Sequence, residues 1–147
     1  MQSDRPLVLI ADDERNAVVL LTRILERDGF AVESAKDGET ALQKAKELHP
    51  DLILMDVQMP RMNGFEVTQQ LRENPDTARI PVIFVTAAAR EPSDVAHGFR
   101  LGADDYIRKP YNYHELLARA HSKMRARQLE DRLQRRSEEL EALVRIG

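Results

Sequence analysis

The sequence predicts an α/β fold in which a parallel sheet is covered by helices on both faces. Two observations lead to this prediction. Five short, mostly apolar runs alternate with segments whose apolar residues recur at helical spacing. The first run, residues 7–11, is apolar throughout, which is typical of a strand buried on both faces of a parallel sheet. Repeated strand–helix units of this kind are typical of doubly covered sheets.

Five strands are expected, each four or five residues long. The first and third are the most apolar, whereas the fifth is more polar because it contains Asp105 and Arg108. The predicted strands are residues 7–11, 31–35, 52–55, 81–85 and 105–108.

Helices are expected after each strand, with ends set by caps and helix breakers. In the first helix the apolar residues of 17–25 fall on one face, and Gly29 supplies a stop. The fifth helix has a capping-box pattern, with Asn112 at the cap and Glu115 three residues later. The other three are expected from residue 37 to Pro50, from Asn63 to Leu71, and around residues 95–101.

Composition limits the classes of function. The chain has 147 residues, a net charge of −3 and no cysteine, so disulfides and thiolate metal sites are excluded. No run of eighteen apolar residues occurs, and residues 1–6 lack the layout of a secretory signal. The charge balance gives no electrostatic argument for nucleic acid. We therefore expect a cytoplasmic protein, with no membrane contact and no direct nucleic-acid binding by this segment.

Polar side chains follow four of the predicted strands at the points where the strands end. They are Asp12 and Asp13 after the first strand, Asp56 after the third, Thr86 after the fourth and Lys109 after the fifth. In an open parallel sheet, ligands bind outside the carboxyl ends of the strands. The sequence therefore predicts that three carboxylates, a hydroxyl and an ammonium meet in one crevice.

These residue types suit phosphoryl transfer. Three close carboxylates repel one another, and a Mg²⁺ ion, which prefers oxygen ligands and keeps several waters, would relieve that repulsion. A carboxylate beside Mg²⁺ can act as the nucleophile towards a phosphoryl group. Lys109 would neutralise charge on that group, and Thr86 could donate a hydrogen bond to it. Each residue alone is a weak signal, since an Asp pair before a helix is more often a cap.

Four segments at these strand ends resemble the receiver domains of two-component response regulators. They are residues 11–14, 55–64, 85–87 and 102–110, in the order and spacing of that family. The resemblance implies the flavodoxin-like strand order 2-1-3-4-5, which the apolar pattern alone cannot supply. It also implies a regulatory phosphoacceptor rather than an enzyme, with a histidine kinase or phosphotransfer protein as its partner.

The resemblance implies a role for individual residues. Asp56 resembles the phosphoacceptor, and Lys109 resembles the lysine that pairs with the phosphoryl group or with Asp56. Asp13, Asp56 and the backbone carbonyl of Gln58 resemble the Mg²⁺ ligands. Asp12 resembles the acidic residue that supplies a further carboxylate beside the metal.

Thr86 and Tyr106 resemble the switch pair of the family. In that switch the hydroxyl moves to the phosphate and the aromatic ring turns inward, so the surface around Tyr106 and the fifth helix would change its contacts. The peptide bond before Pro110 is expected to be cis.

A haloacid-dehalogenase-type phosphatase is the alternative from another class, since it also uses an aspartate nucleophile, Mg²⁺, threonine and lysine. Its nucleophile lies on the first strand in a D-x-D pattern. The corresponding residues here are Asp12-Asp13-Glu14, which do not match.

The fifth helix is expected to continue beyond the receiver, because no Gly or Pro occurs between residues 113 and 146. Its last part carries a coiled-coil pattern at alternating steps of three and four residues, which we call the leucine seam: Ala126, Leu129, Leu133, Leu140 and Leu143.

Arg136 occupies the remaining seam position and weakens the pattern. We predict a receiver domain at residues 1–125 and a helical linker at 126–147 that leads to an output domain and pairs in a parallel homodimer. Two alternatives remain: leucines that cover the receiver's own surface, and a stand-alone receiver that acts only by docking to a partner.

Overall fold

A single parallel sheet forms the centre of the molecule in the computed structural model, which describes residues 5–87 and 92–146. Its strands are β1 (Leu7–Ala11), β2 (Ala31–Ala35), β3 (Leu52–Met55), β4 (Val82–Thr86) and β5 (Asp105–Arg108). The order across the sheet is β2-β1-β3-β4-β5, and every neighbouring pair is parallel. The predicted fold class and the strand order implied by the resemblance are both confirmed.

Helices follow the strands and cover the two faces of the sheet. In the described part of the chain the helices are α1 (Arg15–Arg27), α2 (Gly38–Leu48), α3 (Gly64–Glu73), α4 (Pro92–Arg100) and α5 (Tyr113–Ile146). Residues of α1 and α5 share one buried cluster, and residues of α2 and α3 share the other.

The two faces of the sheet explain why the strands are apolar throughout. In β1, Val8 and Ile10 pack with α1 and α5, whereas Leu9 and Ala11 pack with α2 and α3. Successive side chains of a strand point to opposite faces, so a strand covered on both sides needs apolar residues at every position. Each large side chain buried in this way contributes roughly 1.5–3 kcal/mol.

The ends of two elements differ from the sequence prediction. Strand β4 begins at Val82 rather than Pro81, since proline has no N–H to donate, although the Pro81 carbonyl accepts from Ile53 N at 2.9 Å. It continues to Thr86, whose carbonyl accepts from Lys109 N at 3.1 Å. Helix α4 begins at Pro92, three residues before the expected start.

Helix α5 runs without interruption for 34 residues. Asn112 caps its first turn, because its Oδ1 accepts from the backbone N–H groups of His114 (2.8 Å) and Glu115 (3.4 Å). The Glu115 carboxylate accepts from Arg119 (3.1 Å). None of the helices in the described part of the chain is both long and apolar enough to cross a membrane.

Helix α5 contacts the body of the domain beyond the predicted boundary at residue 125. Met124 is buried against the sheet, and Arg127 donates to Asp131 (3.1 Å) and to the carbonyl of Arg79. Arg79, in the loop before β4, also contacts the Asp131 carboxylate at 3.2 Å. The helix is thus fixed to the receiver as far as Asp131, and the division into two parts stays a prediction.

The leucine seam is not covered by the receiver. Leu129, Leu133, Leu140 and Leu143 keep 54–66% of their surface exposed. The alternative in which these leucines cover the domain's own surface is therefore wrong for this structure.

Candidate functional site

Three of the predicted site residues meet at the carboxyl edge of the sheet. Asp12 follows β1, Asp56 follows β3 and Lys109 follows β5, and parallel strands bring these three ends to one edge. Lys109 Nζ lies 2.8 Å from Asp12 Oδ2 and 3.0 Å from Asp56 Oδ2. Residues that are 97 and 53 positions apart from Lys109 in sequence thus contact one ammonium group.

Both carboxylates are held at two points. Asp12 Oδ1 accepts from Glu14 N (2.9 Å), and Asp56 Oδ1 accepts from Gln58 N (3.2 Å), while their other oxygens contact Lys109. The backbone of Asp56 is fixed as well, since its N–H donates to Ala11 O at 2.8 Å. The carboxylates therefore have little freedom to rotate away from Lys109.

The site carries an excess of negative charge. Partial burial lowers the pKa of Lys109, but hydrogen bonds to Asp12 and Asp56 and the charges of both carboxylates outweigh this, so its pKa lies above the ordinary lysine value. Lys109 therefore stays protonated at neutral pH. One ammonium cannot balance two carboxylates together with the exposed Asp13 beside them.

Asp56 is more accessible than Asp12. The Asp12 side chain is 4% exposed and the Asp56 side chain 12%, whereas Asp13 is exposed to solvent. A reacting group that approaches from solvent would therefore reach Asp56 before Asp12.

The donor set fits Mg²⁺ by its chemistry. The groups that contact Lys109 Nζ are carboxylate oxygens, and a divalent cation would compensate the excess negative charge. Among residues 5–87 and 92–146, no three His, Cys, Asp or Glu side chains are grouped so that they could hold a metal ion by themselves. A Mg²⁺ ion at this edge would therefore need a backbone carbonyl and water as well, as expected for this ion.

The predicted switch residues lie on neighbouring strands. Thr86 ends β4 and is 1% exposed. Tyr106 of β5 is half-buried, and its ring packs against Phe84 at a centroid distance of 6.2 Å and an angle of 70°. Phe84 in turn contacts Phe65 of α3 at 5.3 Å. The peptide bond between Lys109 and Pro110 is cis, which confirms that expectation.

Two glycines that lie next to the site were not predicted from the sequence to be functional. Gly38 and Gly64 begin α2 and α3, and both pack against the backbone that follows Asp56. A signal was present, because each follows a residue that caps its helix, Asp37 and Asn63.

A groove of about 760 Å³ between α1 and α5 adjoins the site and was also missed. Lys109 is one of its lining residues, and the apolar lining includes Ala17, Leu20, Ile24 and Leu117. Leu20 is 55% exposed although it belongs to the apolar face of α1. Exposed apolar side chains beside a reactive site suit contact with another protein.

Comparisons with known proteins agree with this geometry. The family model of the response regulator receiver domain matches residues 8–121. The chain is 39% identical over 141 residues to the alkaline phosphatase synthesis transcriptional regulatory protein PhoP of Bacillus subtilis, covering 95% of this chain and 58% of PhoP. It is 38% identical over 125 residues to the DNA-binding response regulator MtrA of Mycobacterium tuberculosis, covering 85% of this chain and 53% of MtrA.

Solved structures give the same result. A CheY-like response regulator receiver domain protein from Methanospirillum hungatei superposes with a TM-score of 0.81 at 28% identity, covering 86% of this chain and 99% of that one. The receiver domain of a sensor histidine kinase from Pseudomonas aeruginosa, with magnesium coordinated in its active-site cleft, gives 0.76 at 27% identity, covering 82% and 98%.

The matches cover different fractions of the two groups of proteins. The chain spans about half the length of the curated relatives it matches, whereas it spans nearly all of the solved receiver domains. The family match does not support the haloacid-dehalogenase-type phosphatase. The chain belongs to the response regulator receiver domain family, the phosphoacceptor switches of two-component signalling.

Proposed function

We propose that Asp56 accepts a phosphoryl group from a phosphohistidine, with Mg²⁺ held by Asp13, Asp56 and the carbonyl of Gln58. The observation that supports this proposal is the convergence of Asp12 and Asp56 on Lys109 Nζ at 2.8 and 3.0 Å. The test is labelling with radioactive acetyl phosphate. We expect one phosphoryl group per chain with Mg²⁺, and none when a chelator removes the metal.

In this mechanism an oxygen of Asp56 attacks phosphorus as the bond between phosphorus and the donor imidazole breaks. The imidazole leaves as a neutral group after it takes up a proton. Lys109 holds the Asp56 carboxylate in place before the reaction and neutralises charge on the transferred group. Bound Mg²⁺ would supply further charge neutralisation. Asp12 keeps Lys109 oriented, since it accepts the shorter of the two hydrogen bonds.

The phosphorylated state would be read through Thr86 and Tyr106. The Thr86 hydroxyl would donate to the phosphoryl oxygens, and the Tyr106 ring, which already packs against Phe84, would turn further inward. The chain would then act through changed protein contacts rather than through turnover of a substrate. Steady hydrolysis of small phosphate esters would contradict this regulatory role.

Asp13→Ala is expected to weaken Mg²⁺ binding strongly while the fold stays intact or becomes more stable. The change removes a proposed ligand and one of several mutually repelling carboxylates. The measurement is a Mg²⁺ titration followed by NMR shifts near Asp56. Glu14→Ala is the matched control, since it removes a neighbouring exposed carboxylate that has no proposed contact with the metal. An unchanged titration for Asp13→Ala would refute the proposed ligand set.

The groove between α1 and α5 is the proposed docking surface for the kinase or phosphotransfer partner. Lys109 is part of its lining, and its apolar side chains could receive a partner helix beside the acceptor. A partner held there would present its phosphohistidine to the carboxyl edge of the sheet.

Leu20→Asp is expected to slow transfer from a phosphorylated kinase by about tenfold or more, because it places a charge in an apolar contact. Labelling by acetyl phosphate should be unchanged. Leu48→Asp on α2 is the control, since Leu48 is 40% exposed and lies outside the groove. An equal loss of rate with the kinase and with acetyl phosphate would show that Leu20 affects the reaction site or the stability of the fold, and not a docking surface.

The leucine seam is the proposed contact for a second copy of the chain. Leu129, Leu133 and Leu140 each follow by nine residues a residue that contacts the domain body: Ala120, Met124 and Asp131 respectively. Nine residues are about two and a half helical turns, so these leucines face away from the receiver. Two copies could therefore pair along α5 while their receiver bodies stay on the outside.

Residues 126–147 are proposed to connect the receiver to an output domain, since the match covers only 58% of PhoP and 53% of MtrA. The cytoplasmic location and the lack of direct nucleic-acid binding by this segment stay predictions. Cell fractionation checks the first, and a mobility-shift assay with the present chain checks the second.

A further inference from the structure

Two buried glycines enclose the loop that carries the proposed Gln58 ligand. This β3–α3 loop, residues 57–63, joins Asp56 to helix α3. Gly38 starts α2, Gly64 starts α3, and neither has a backbone angle in the left-handed region. An alanine could therefore adopt the same backbone at both positions. Glycine is needed at these positions because it has no side chain, which lets neighbouring atoms approach its Cα closely.

Gly64 lies against the backbone of the acceptor itself. A Cβ atom at this position would be 2.4 Å from the carbonyl oxygen of Asp56 and 3.1 Å from the Cα of Val57. The Gly64 N–H donates to Val57 O at 2.9 Å, and its carbonyl accepts from the buried Thr68 hydroxyl at 2.9 Å. The start of α3 is thus tied to the two residues at the end of β3.

Gly38 lies against the other end of the same loop. A Cβ atom there would be 1.9 Å from the carbonyl oxygen of Met62 and 2.6 Å from its carbonyl carbon. The Gly38 N–H donates to Pro60 O at 3.4 Å, and Met62 N donates to the same oxygen at 2.8 Å. Met59 and Met62 also pack against the buried cluster under α2 and α3.

We propose that Gly38 and Gly64 are positioning residues for phosphoryl acceptance. Because neither helix start carries a side chain, both can hold the β3–α3 loop by its backbone, and this sets where the Asp56 carboxylate and the Gln58 carbonyl lie. At Gly64 the opposing atoms are all backbone, and at Gly38 they are the carbonyl group and the Cβ atom of Met62. None of these atoms can turn aside as the end of a flexible side chain can. The inference rests on the proposed roles of Asp56 and Gln58.

A side chain at residue 64 would have a steric effect on the site, and this effect can be measured separately from any loss of folding stability. A methyl group at residue 64 must displace either the start of α3 or the Asp56 backbone, which is also bound to Ala11 O at 2.8 Å. A shift of about 1 Å in a reacting group can cost on the order of a hundredfold in rate. A shift in the Gln58 carbonyl would weaken Mg²⁺ binding by itself.

The experiment compares Gly64→Ala and Gly38→Ala with the wild-type chain by three measurements. These are the Mg²⁺ affinity from NMR titration, the rate of labelling by acetyl phosphate, and hydrogen exchange of the loop amides in metal-free protein. We expect labelling to slow by about a hundredfold. We also expect weaker Mg²⁺ binding and faster exchange at residues 58 and 62.

Two controls distinguish positioning from general destabilisation. Gly98→Ala also adds a methyl group at a buried helical glycine, but the three atoms nearest to it would be ring atoms of Phe84 and Phe65, at 3.0–3.3 Å. Leu25→Ala creates a cavity in the cluster under α1 and α5 and lowers the melting temperature. Both controls should keep wild-type Mg²⁺ affinity and wild-type loop exchange while they are folded.

Wild-type Mg²⁺ affinity and labelling in folded Gly64→Ala would overturn the proposal, as would losses no larger than those of Leu25→Ala. If neither glycine variant folds, Thr68→Val gives the test, because it removes the hydrogen bond to Gly64 O without filling the contact with Asp56. It should change Mg²⁺ affinity and loop exchange in the same direction, and no change would overturn the inference. Hydrogen exchange in metal-free protein does not depend on which residue is phosphorylated. It therefore distinguishes a wrong assignment of the acceptor from a wrong assignment of the two glycines.

Discussion

Asp56→Asn is expected to abolish labelling by acetyl phosphate in the presence of Mg²⁺. An amide is a poor nucleophile and carries no charge to bind the metal, so both proposed functions of Asp56 are lost together. The fold should survive, because asparagine has the same shape and its amide oxygen can still accept from Lys109 at the position of Asp56 Oδ2. The measurement is incorporation of radioactive phosphoryl group per chain, with intact-mass spectrometry as a second readout.

Asp76→Asn is the matched control, since Asp76 is an exposed aspartate in the loop between α3 and β4. It should be labelled at the wild-type rate. Asp12 is the residue that would replace Asp56 in an alternative assignment, because it contacts the same Lys109 Nζ at 2.8 Å. If the Asp56→Asn variant is still labelled at the wild-type rate, another residue is the acceptor. Peptide mapping would then identify that residue.

Leu133→Asp combined with Leu140→Asp is expected to convert a dimer into a monomer. Each leucine that becomes buried in a dimer contributes roughly 1.5–3 kcal/mol, and the double variant removes four of them across a two-fold interface. A loss of that size raises the dissociation constant by more than about a thousandfold. Sedimentation equilibrium over a range of concentrations measures the change.

Charge would contribute little to the proposed interface. A parallel pairing would bring Arg125 near Glu130 of the partner subunit, but an exposed pair adds only about 0.2–1 kcal/mol. Glu130 also lies 3.8 Å from Arg79 of its own domain, so it would be shared between the two contacts. In the proposed pairing Arg136 would oppose its own copy in the seam. The leucines must therefore supply most of the affinity.

Gln128→Asp combined with Gln134→Asp is the control for the dimer. It adds the same two charges to the exposed part of α5 but at positions outside the leucine seam. We expect it to leave the dimer intact. A wild-type chain that stays monomeric at high micromolar concentration would show that the seam serves another surface.

Much of the fold could be predicted from the sequence because local patterns carry it. Apolar residues at every position of β1 and β3 follow from a sheet that is buried on both faces, and Asn63 and Asn112 cap helices as expected. The predicted ends of strands were less accurate where a residue from a distant part of the same chain determines the end. Strand β4 includes Thr86 because Lys109 N, from a distant part of the chain, donates to its carbonyl.

By itself, the sequence determined which residue types stand at the strand ends and therefore which chemistry the chain can perform. Carboxylates after β1 and β3 and a lysine after β5 are local facts of the sequence. Only the tertiary structure decided that Asp12 and Asp56 share one ammonium group while Asp13 stays exposed to solvent.

The structure alone also decided how α5 leaves the domain and why Gly64 must lack a side chain. The leucine seam faces outward because Asp131 and Arg127 are bound to Arg79, 48 positions before Arg127 in sequence. Gly64 lies against Asp56 because α3 folds back onto the end of β3. Such contacts depend on distances between elements, and these distances are set by how the whole chain packs, which no local pattern encodes.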